Sequence, residues 1–360
     1  MITIKKYTEA DKTNWDYYVM QHSQGTIFHL TRWKKVIEKT FGHKSHYLIA
    51  VENIVGRGQG SEIREQRTET RNPVVGILPL FRIRSFIFGN YLVSVPFAEL
   101  GGVLADDKNV ERMLLDRAIE MAEEMKCDYI ELRNQEQIEN LPAKSLYYNF
   151  RRKIYSDPDQ NMQAIPRKAR RMIRRGIKFG LYSESGIHLL HDFYEILAKS
   201  YHQLGTPIFS KRFFRTFLDE FGTDAQILVV YDKKGTSVAG VLSFFYKDQV
   251  LPFYAGSLFE YRKLSSNDFM YWELMSYGSE NGYKIFDFGR SKIDTGSYHF
   301  KRHWGFKPVP LFYQYHLNRI NELPNLSPAN PKYQKKIELW KKMPFKVTKI
   351  LGPPIAKYLA

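Results

Sequence analysis

The stretch FDFGRSKIDTGSYHFKRHWGF, Phe286 to Phe306, sets Lys301 between Phe300 and Trp304, just after a glycine- and serine-rich loop. An ammonium among aromatics is shielded from water, which raises the effect of its charge. Such a cation suits acyl transfer, whose tetrahedral intermediate gathers negative charge on one oxygen. A fixed donor at that oxygen is worth about 2.7–4 kcal/mol in studied cases. The other reading of Lys301 is a lysine snorkelling from a helix start, its stem on Trp304. Asp287 ends the preceding apolar run, and Arg290 follows in the turn. A carboxylate at a strand end can take a proton from an attacking amine or orient it. Equally, Asp287 can cap the turn or pair with Arg290.

The net charge of +16 is concentrated. Asn161–Gly180 holds seven Lys or Arg and no acid, and Pro331–Ala360 holds eight Lys and one Glu. In the first segment Arg167, Arg170, Arg171, Arg174, Arg175 and Lys178 recur at helical steps, and arginine forks match phosphate oxygens. A solvated basic face is the alternative. In the second segment Tyr333, Ile337 and Trp340 share one helical side among lysines. That side can lie on an anionic membrane surface or pack on the protein's own body.

These residues need a scaffold, and the chain carries a repeat. VVGILPLFRI, LVSVPF, a helical ERMLLDRAIEMAEEM and CDYIELR are echoed by VAGVLSFFY, VLPFYAGS, a helical SNDFMYWELMSYGSENG and YKIFDFGR. Gly76 and Gly240, Pro96 and Pro252, Glu131 and Asp287, and Arg133 and Arg290 mark the same order, so a duplicated unit is expected. Each unit reads as a mixed, mostly antiparallel sheet flanked by helices, an α+β layer. The expected domains are 1–155 and 156–320, with a polar mobile loop at 53–72 and a proline-containing linker and basic tail at 321–360. Helices are expected over Asp107–Met125, Ala164–Phe179, His188–Tyr201, Ser210–Phe221 and Asn267–Tyr277. One cysteine, Cys127, excludes an internal disulfide framework. The N-terminus has no apolar core after its lysines, and no run reaches the roughly 20 apolar residues of a spanning helix. These features read as a cytoplasmic protein, peripheral to the membrane if the tail docks there.

The chain resembles the Fem-like aminoacyltransferases, which carry two acetyltransferase-type (GNAT) domains, and within them the subgroup associated with exosortase and exopolysaccharide loci. The resemblance rests on FHLTRWKKVIEKTFGH, FGNYLVSVPFAELGGVLADD, KARRMIRRGIKFG, LGTPIFSKRFF, LSSNDFMYWELM, FDFGRSKIDTGSYHFKRHWGF and SPANPKY, which together span most of the chain. It implies tandem GNAT-like domains and acyl or aminoacyl transfer to an amine on an envelope or polysaccharide precursor. It further implies that Lys301 contacts substrate or transition state, with Tyr298 and Phe300 from the same motif as substrate contacts. Lys211 or Arg212 falls where the family keeps a phosphate-contacting arginine. Trp33, with His29, falls in a segment that opens the substrate cleft. The family often has a lysine three residues after that tryptophan; here it is Val36. A core anchor is the other reading of Trp33.

A glycine-rich loop at a helix start would hold the pyrophosphate of acyl-CoA. The corresponding EYRKLSSNDFM has no glycine, though Ser265, Ser266 and Asn267 can cap the helix. No tightly bound cofactor is expected. The acyl donor is an aminoacyl-tRNA, an acyl-carrier thioester or an acyl-CoA, and the partner is a phosphorylated or lipid-linked sugar precursor. No metal is expected, since His299 and His303 lack a third ligand. The rival reading is a catalytically silent GNAT-like module that binds anionic glycan precursor or RNA.

Overall fold

Short apolar runs form strands and amphipathic runs form helices in the structure, a computed structural model describing residues 1–53, 73–85, 89–324 and 331–359, with side chains from 334 onward in the last segment. In chain order the elements are β1 (Ile2–Lys6), α1 (Lys12–Gln21), α2 (Thr31–Phe41), β2 (Lys44–Ser45), β3 (Leu48–Glu52), β4 (Val74–Leu78), β5 (Phe81–Ser85), β6 (Gly89–Val93), β7 (Leu104–Ala105), α3 (Lys108–Glu124), β8 (Tyr129–Asn134) and β9 (Ala143–Lys144). There follow β10 (Tyr147–Lys153), α4 (Pro158–Ala164), α5 (Arg167–Lys178), β11 (Tyr182–Ser185), α6 (Leu190–Leu204), α7 (Lys211–Phe221), β12 (Ala225–Tyr231), β13 (Ser237–Tyr246), β14 (Gln249–Ser257), α8 (Ser266–Glu280) and β15 (Ile285–Lys292). The last are α9 (Gly296–His303), β16 (Val309–Pro310), β17 (Phe312–Leu317), α10 (Pro331–Lys342) and α11 (Phe345–Ala356).

The first unit comprises Met1–Glu38, Gly42–Ala143 and Phe312–Leu323. Pro79 has no amide hydrogen for a ladder and separates β4 from β5. The strands accordingly fall into a four-stranded sheet, β1-β3-β4-β7, and a six-stranded sheet, β2-β5-β6-β8-β17-β9. Helix α3 starts at Asp107, whose carboxylate accepts from the Val110 amide. Its buried Val110, Leu114, Ala118 and Met121 pack with Leu48, Leu78, Leu92 and Ile130.

The second unit comprises Lys39–Phe41, Lys144–Leu311 and Pro324–Ala360. One seven-stranded sheet, β11-β12-β13-β14-β15-β10-β16, forms its centre. Every pairing is antiparallel except β14 with β15. Alternation along the strands sends residues to two faces. On one face Ala239, Val241 and Val250 meet Phe269, Met270 and Met275 of α8, with α5 seated on α8 through Ala169, Ile173 and Gly176. On the other, Gly240 and Gly256 lie close to Phe193, Ile196 and Leu197 of α6, and Tyr254 meets Phe213, Phe214 and Phe217 of α7.

Several expectations shift. The helix expected over Ala164–Phe179 is α5 and begins later, at Arg167, because Pro166 disfavours helical backbone at Ile165, where the separate helix α4 ends. The boundary expected at residue 155 lies at Ala143/Lys144, because β10 pairs with β15 and so belongs to the second unit. Strand β17, which follows the second unit, pairs with β8 of the first. Gly76 and Gly240 are not equivalent: a side chain at Gly76 would meet Val110 and Leu114 of α3, whereas one at Gly240 would meet α6, on the face opposite α8. Of the loop expected at 53–72, all but Asn53 lies outside the described residues.

Candidate active site

The second repeat carries one more residue than the first where its last strand ends the motif: Glu-Leu-Arg at 131–133 becomes Asp-Phe-Gly-Arg at 287–290. The strand continues through these residues, so Asp287 is not at a strand end as expected but lies within β15, 7% exposed. Opposite it, β10 shifts register between Asn149↔Arg290 and Arg151↔Asp287, so Phe150 alone faces Phe288 and Gly289. Gly289 takes φ +68°, the left-handed conformation a bulge of this kind requires.

Both charged candidates hold this bulge. Asp287 Oδ1 accepts from the Gly289 amide at 2.9 Å, and Oδ2 accepts from Asn149 Nδ2 at 3.1 Å. Burial pushes the Asp287 carboxyl above its ordinary range, against the pull of those bonds and of the Arg151 and Lys301 charges. Lys301 is buried in α9, and its Nζ donates to the Gly289 carbonyl at 2.8 Å and the Arg290 carbonyl at 3.0 Å. The ring under its charge is Phe150, 5.5 Å away, rather than the expected Phe300 or Trp304. Successive helical residues point about 100° apart, so Phe300 faces Tyr271 and Phe288 instead. Arg290 is half-buried, its guanidinium 4.6 Å from the Tyr147 ring.

Beside the bulge, β14 and β15 share only two registered pairs, Gln249↔Ile285 and Val250↔Phe286. Beyond them the β15-side edge of β14 runs on to Ser257 outside that ladder. A second bulge in β14 sets Leu242↔Tyr254 next to Ser243↔Pro252, which leaves Phe253 as the extra residue. Helix α8 then begins at Ser265, which adopts φ +61° and makes no side-chain capping bond. Ser265, the N-cap residue, therefore does not make the capping bond expected of it. The Ser265 hydroxyl is buried without a hydrogen-bond partner. Free amides at a helix start attract anions. In the same turn Asp268 accepts from Trp304 Nε1 at 3.0 Å, and burial raises its carboxyl to about 6.

The first unit closes the equivalent place. Its parallel strands β6 and β8 pair at Leu92↔Ile130 and Val93↔Glu131. Arg133 then binds Glu131 through Nε at 2.9 Å and Nη2 at 2.8 Å. Its Nη1 donates to the carbonyls of Val95 and Ala98, and Gly101 and Gly102 donate to the Arg133 carbonyl. Tyr315 Oη donates to the other Glu131 oxygen at 3.2 Å. His29, in this unit, is buried and bonds Thr26 and the Gly102 carbonyl. It borders a shallow concavity of about 10 Å³, far smaller than an ordinary ligand pocket.

The remaining predicted residues separate. Trp33 is fully enclosed, edge-on to Phe28 and donating from Nε1 to the Pro96 carbonyl, so it is a core anchor and offers no surface to a substrate. Tyr298 is likewise a core residue, packed edge-on to Tyr148 and Phe150. Arg170 is half-buried and Arg174 exposed on α5, in the α8 layer. Lys211 and Arg212 are exposed at the start of α7, in the α6 layer. The two basic groups thus belong to opposite faces of the sheet and do not form one phosphate site. Sequence reasoning missed Asn149 and Phe150, which lie far from β15 in sequence and meet it only by strand pairing. Their one signal was a further apolar run, YYNF, after the first repeat.

Over residues 160–302 the sequence matches the acetyltransferase (GNAT) domain family. No curated protein gives a significant match. Among solved structures, FemX aligns at a TM-score of 0.62 and 16% identity, covering 94% of this chain and 100% of FemX. A tandem GNAT protein from the clavulanic acid biosynthesis pathway aligns at 0.55 and 9%, covering 90% and 100%. A protein of unknown function from Bacteroides thetaiotaomicron aligns at 0.53 and 11%, covering 88% and 100%. At these identities the likeness is one of fold: the chain is built of two tandem GNAT-like domains, with mixed, mostly antiparallel sheets and flanking helices. The family match lies wholly within the second unit.

Proposed function

We propose that the protein is an N-acyltransferase that moves an acyl or aminoacyl group onto an amine of an envelope or exopolysaccharide precursor, with the chemistry in the second unit. The observation that carries this reading is the parting of β14 from β15 after two pairs, beside an uncapped helix start and a bulge held by Lys301. The phosphates of the acyl donor sit at the start of α8 near Asn267, where Ser265 supplies no side-chain cap. The acyl carbonyl lies along the β14 edge, where a backbone amide faces the oxygen that gains charge. Lys301 fixes the Gly289 and Arg290 carbonyls and adds a buried positive charge to the site. Both Asp287 oxygens accept bonds from the protein, so its role is to position the bulge; as the N–C bond forms and the donor's C–S or C–O bond breaks, the amine's proton passes through solvent to the departing thiolate or ribose oxygen. A thioester or an aminoacyl ester fits this scheme as substrate.

The test is a transfer assay read by product mass. Acetyl-CoA and aminoacyl-tRNA are offered as donors and amino sugars as acceptors, with the full chain and its Lys301→Ala and Lys301→Arg variants. A mass shift that falls by about 100-fold or more in kcat for both variants is the expected result. Equal turnover by Lys301→Ala, or no donor bound by the wild type in native mass spectrometry, overturns the reading. A binding module for anionic glycan or RNA is favoured by one observation, the exposed Arg171, Arg174, Arg175 and Lys178 on α5. It predicts salt-sensitive binding that α5 substitutions abolish, without transfer.

A further inference from the structure

Helix α11 is packed with its small residues inward. Thr348, Gly352 and Ala356 form its buried stripe, one turn apart. A side chain at Gly352 would come within 2.9 Å of the Ile208 backbone. The Thr348 hydroxyl shares a 3.1 Å hydrogen bond with His202 Nδ1, and Lys349 pairs with Glu195, so the helix is fastened to α6. The large residues point away: Ile350 is 74% exposed and Leu351 42%, with Val347, Ile355 and Leu359 also exposed. Helix α10 is seated the other way. Ile337 packs on Gly205, and Trp340 is half-buried with its indole nitrogen covered. The side expected to meet a membrane therefore faces the protein at Ile337 and Trp340, and the Tyr333 side chain lies outside the described residues.

We infer that the outward face of α11 is a docking surface for an anionic lipid bilayer, on which the helix lies in the plane of the headgroups. Exposed Lys346 precedes the apolar ridge on α11, exposed Lys342 ends α10 just before it, and residues 331–360 carry eight lysines against one glutamate. A convex apolar ridge flanked by lysines is the pattern of an interfacial helix. A second copy of this segment would bring like charge against like charge, which opposes self-association. Among the described residues no helix is long and apolar enough to cross a membrane, so the contact is superficial. This inference stands apart from the reading of the active site.

The test uses the full chain and vesicles of pure phosphatidylcholine or of phosphatidylcholine with about one-third phosphatidylglycerol. The wild type co-sediments with the anionic vesicles, and high salt releases it. Ile350→Asp lowers the partition coefficient about 10-fold or more, and Ile350→Trp preserves it. Lys342→Gln with Lys346→Gln lowers it severalfold. Ile350 is solvent-exposed, so thermal unfolding should match the wild type in each case. No binding to anionic vesicles, equal binding by Ile350→Asp, or a wild-type dimer that Ile350→Asp dissolves would each overturn the inference.

Discussion

The two units place a buried carboxylate on the same strand of the same motif and use it in opposite ways. In the first, Glu131 and Arg133 lie two apart on β8 and form a buried ion pair whose spare donors bind the loop that follows β6. In the second, Gly289 adds a residue, the strand bulges, and Lys301 from α9 takes hold of the bulge carbonyls. The helix starts differ in the same sense. Asp107 caps α3 with its own negative charge, whereas Ser265 makes no N-cap bond for α8 and the acid of its first turn, Asp268, bonds Trp304. One residue and one N-cap separate the sealed wedge from the bulged strand, and on the proposed reading the duplicated fold keeps one half for support and the other for chemistry.

The comparison can be broken most directly at its two cations. Lys301→Ala should lower kcat by about 100-fold or more. It should also cost about 1–3 kcal/mol of stability, because two buried carbonyls lose their donor. Arg133→Ala should do the reverse: about 3–5 kcal/mol lost in denaturant titration as Glu131 is stranded, with kcat per folded molecule unchanged. If both variants lose stability alone, the units do not differ in role.

Asp268 gives a pH test confined to the second unit. Its carboxyl is raised by burial to about 6 in the folded protein against 3.8 ordinarily. The folded state therefore binds more protons than the unfolded state between those values, and stability should fall as pH rises from about 4 to 6. The loss is at most about 3 kcal/mol. Asp268→Asn keeps an acceptor for Trp304 and should flatten that slope in chemical denaturation.

Smaller effects sharpen the picture. Asn267→Asp should raise the KM for a phosphate-bearing donor about 10-fold by placing negative charge at the α8 start. The same change should stabilise the helix by about 0.3–1 kcal/mol. A capping role alone would give the second effect without the first. Gly289→Ala should cost about 1 kcal/mol, the strain of a side chain in the left-handed region. Measured Tm and kcat would fall together.

The layers were legible because buried strands and amphipathic helices announce themselves as apolar runs and helical periods. The insertion of Gly289 was also visible, as ELR against DFGR, but its meaning needs the partner strand, since a bulge is defined by what lies opposite. Lys301 was found from its aromatic setting, yet the aromatic that matters, Phe150, comes from β10, about 150 residues earlier. Trp33 shows the converse failure: a tryptophan in a cleft-forming motif and a tryptophan filling a core look the same in one dimension. The inward stripe of α11 escaped notice because threonine, glycine and alanine do not look like a packing face.

The late position of β17 in the sequence bears on how the chain emerges from the ribosome. The first unit's six-stranded sheet needs β17, which is translated only after nearly the whole second unit. Until Phe312–Leu317 emerges, β8 presents an unpaired edge, a template for mispairing with other nascent chains. A fragment ending at the first unit's long segment would keep that open edge, and a fragment starting after β10 would lack the neighbour of β15. The first unit therefore cannot be cut out as a continuous piece, whereas Lys144–Leu311 holds all seven strands of the second unit's sheet.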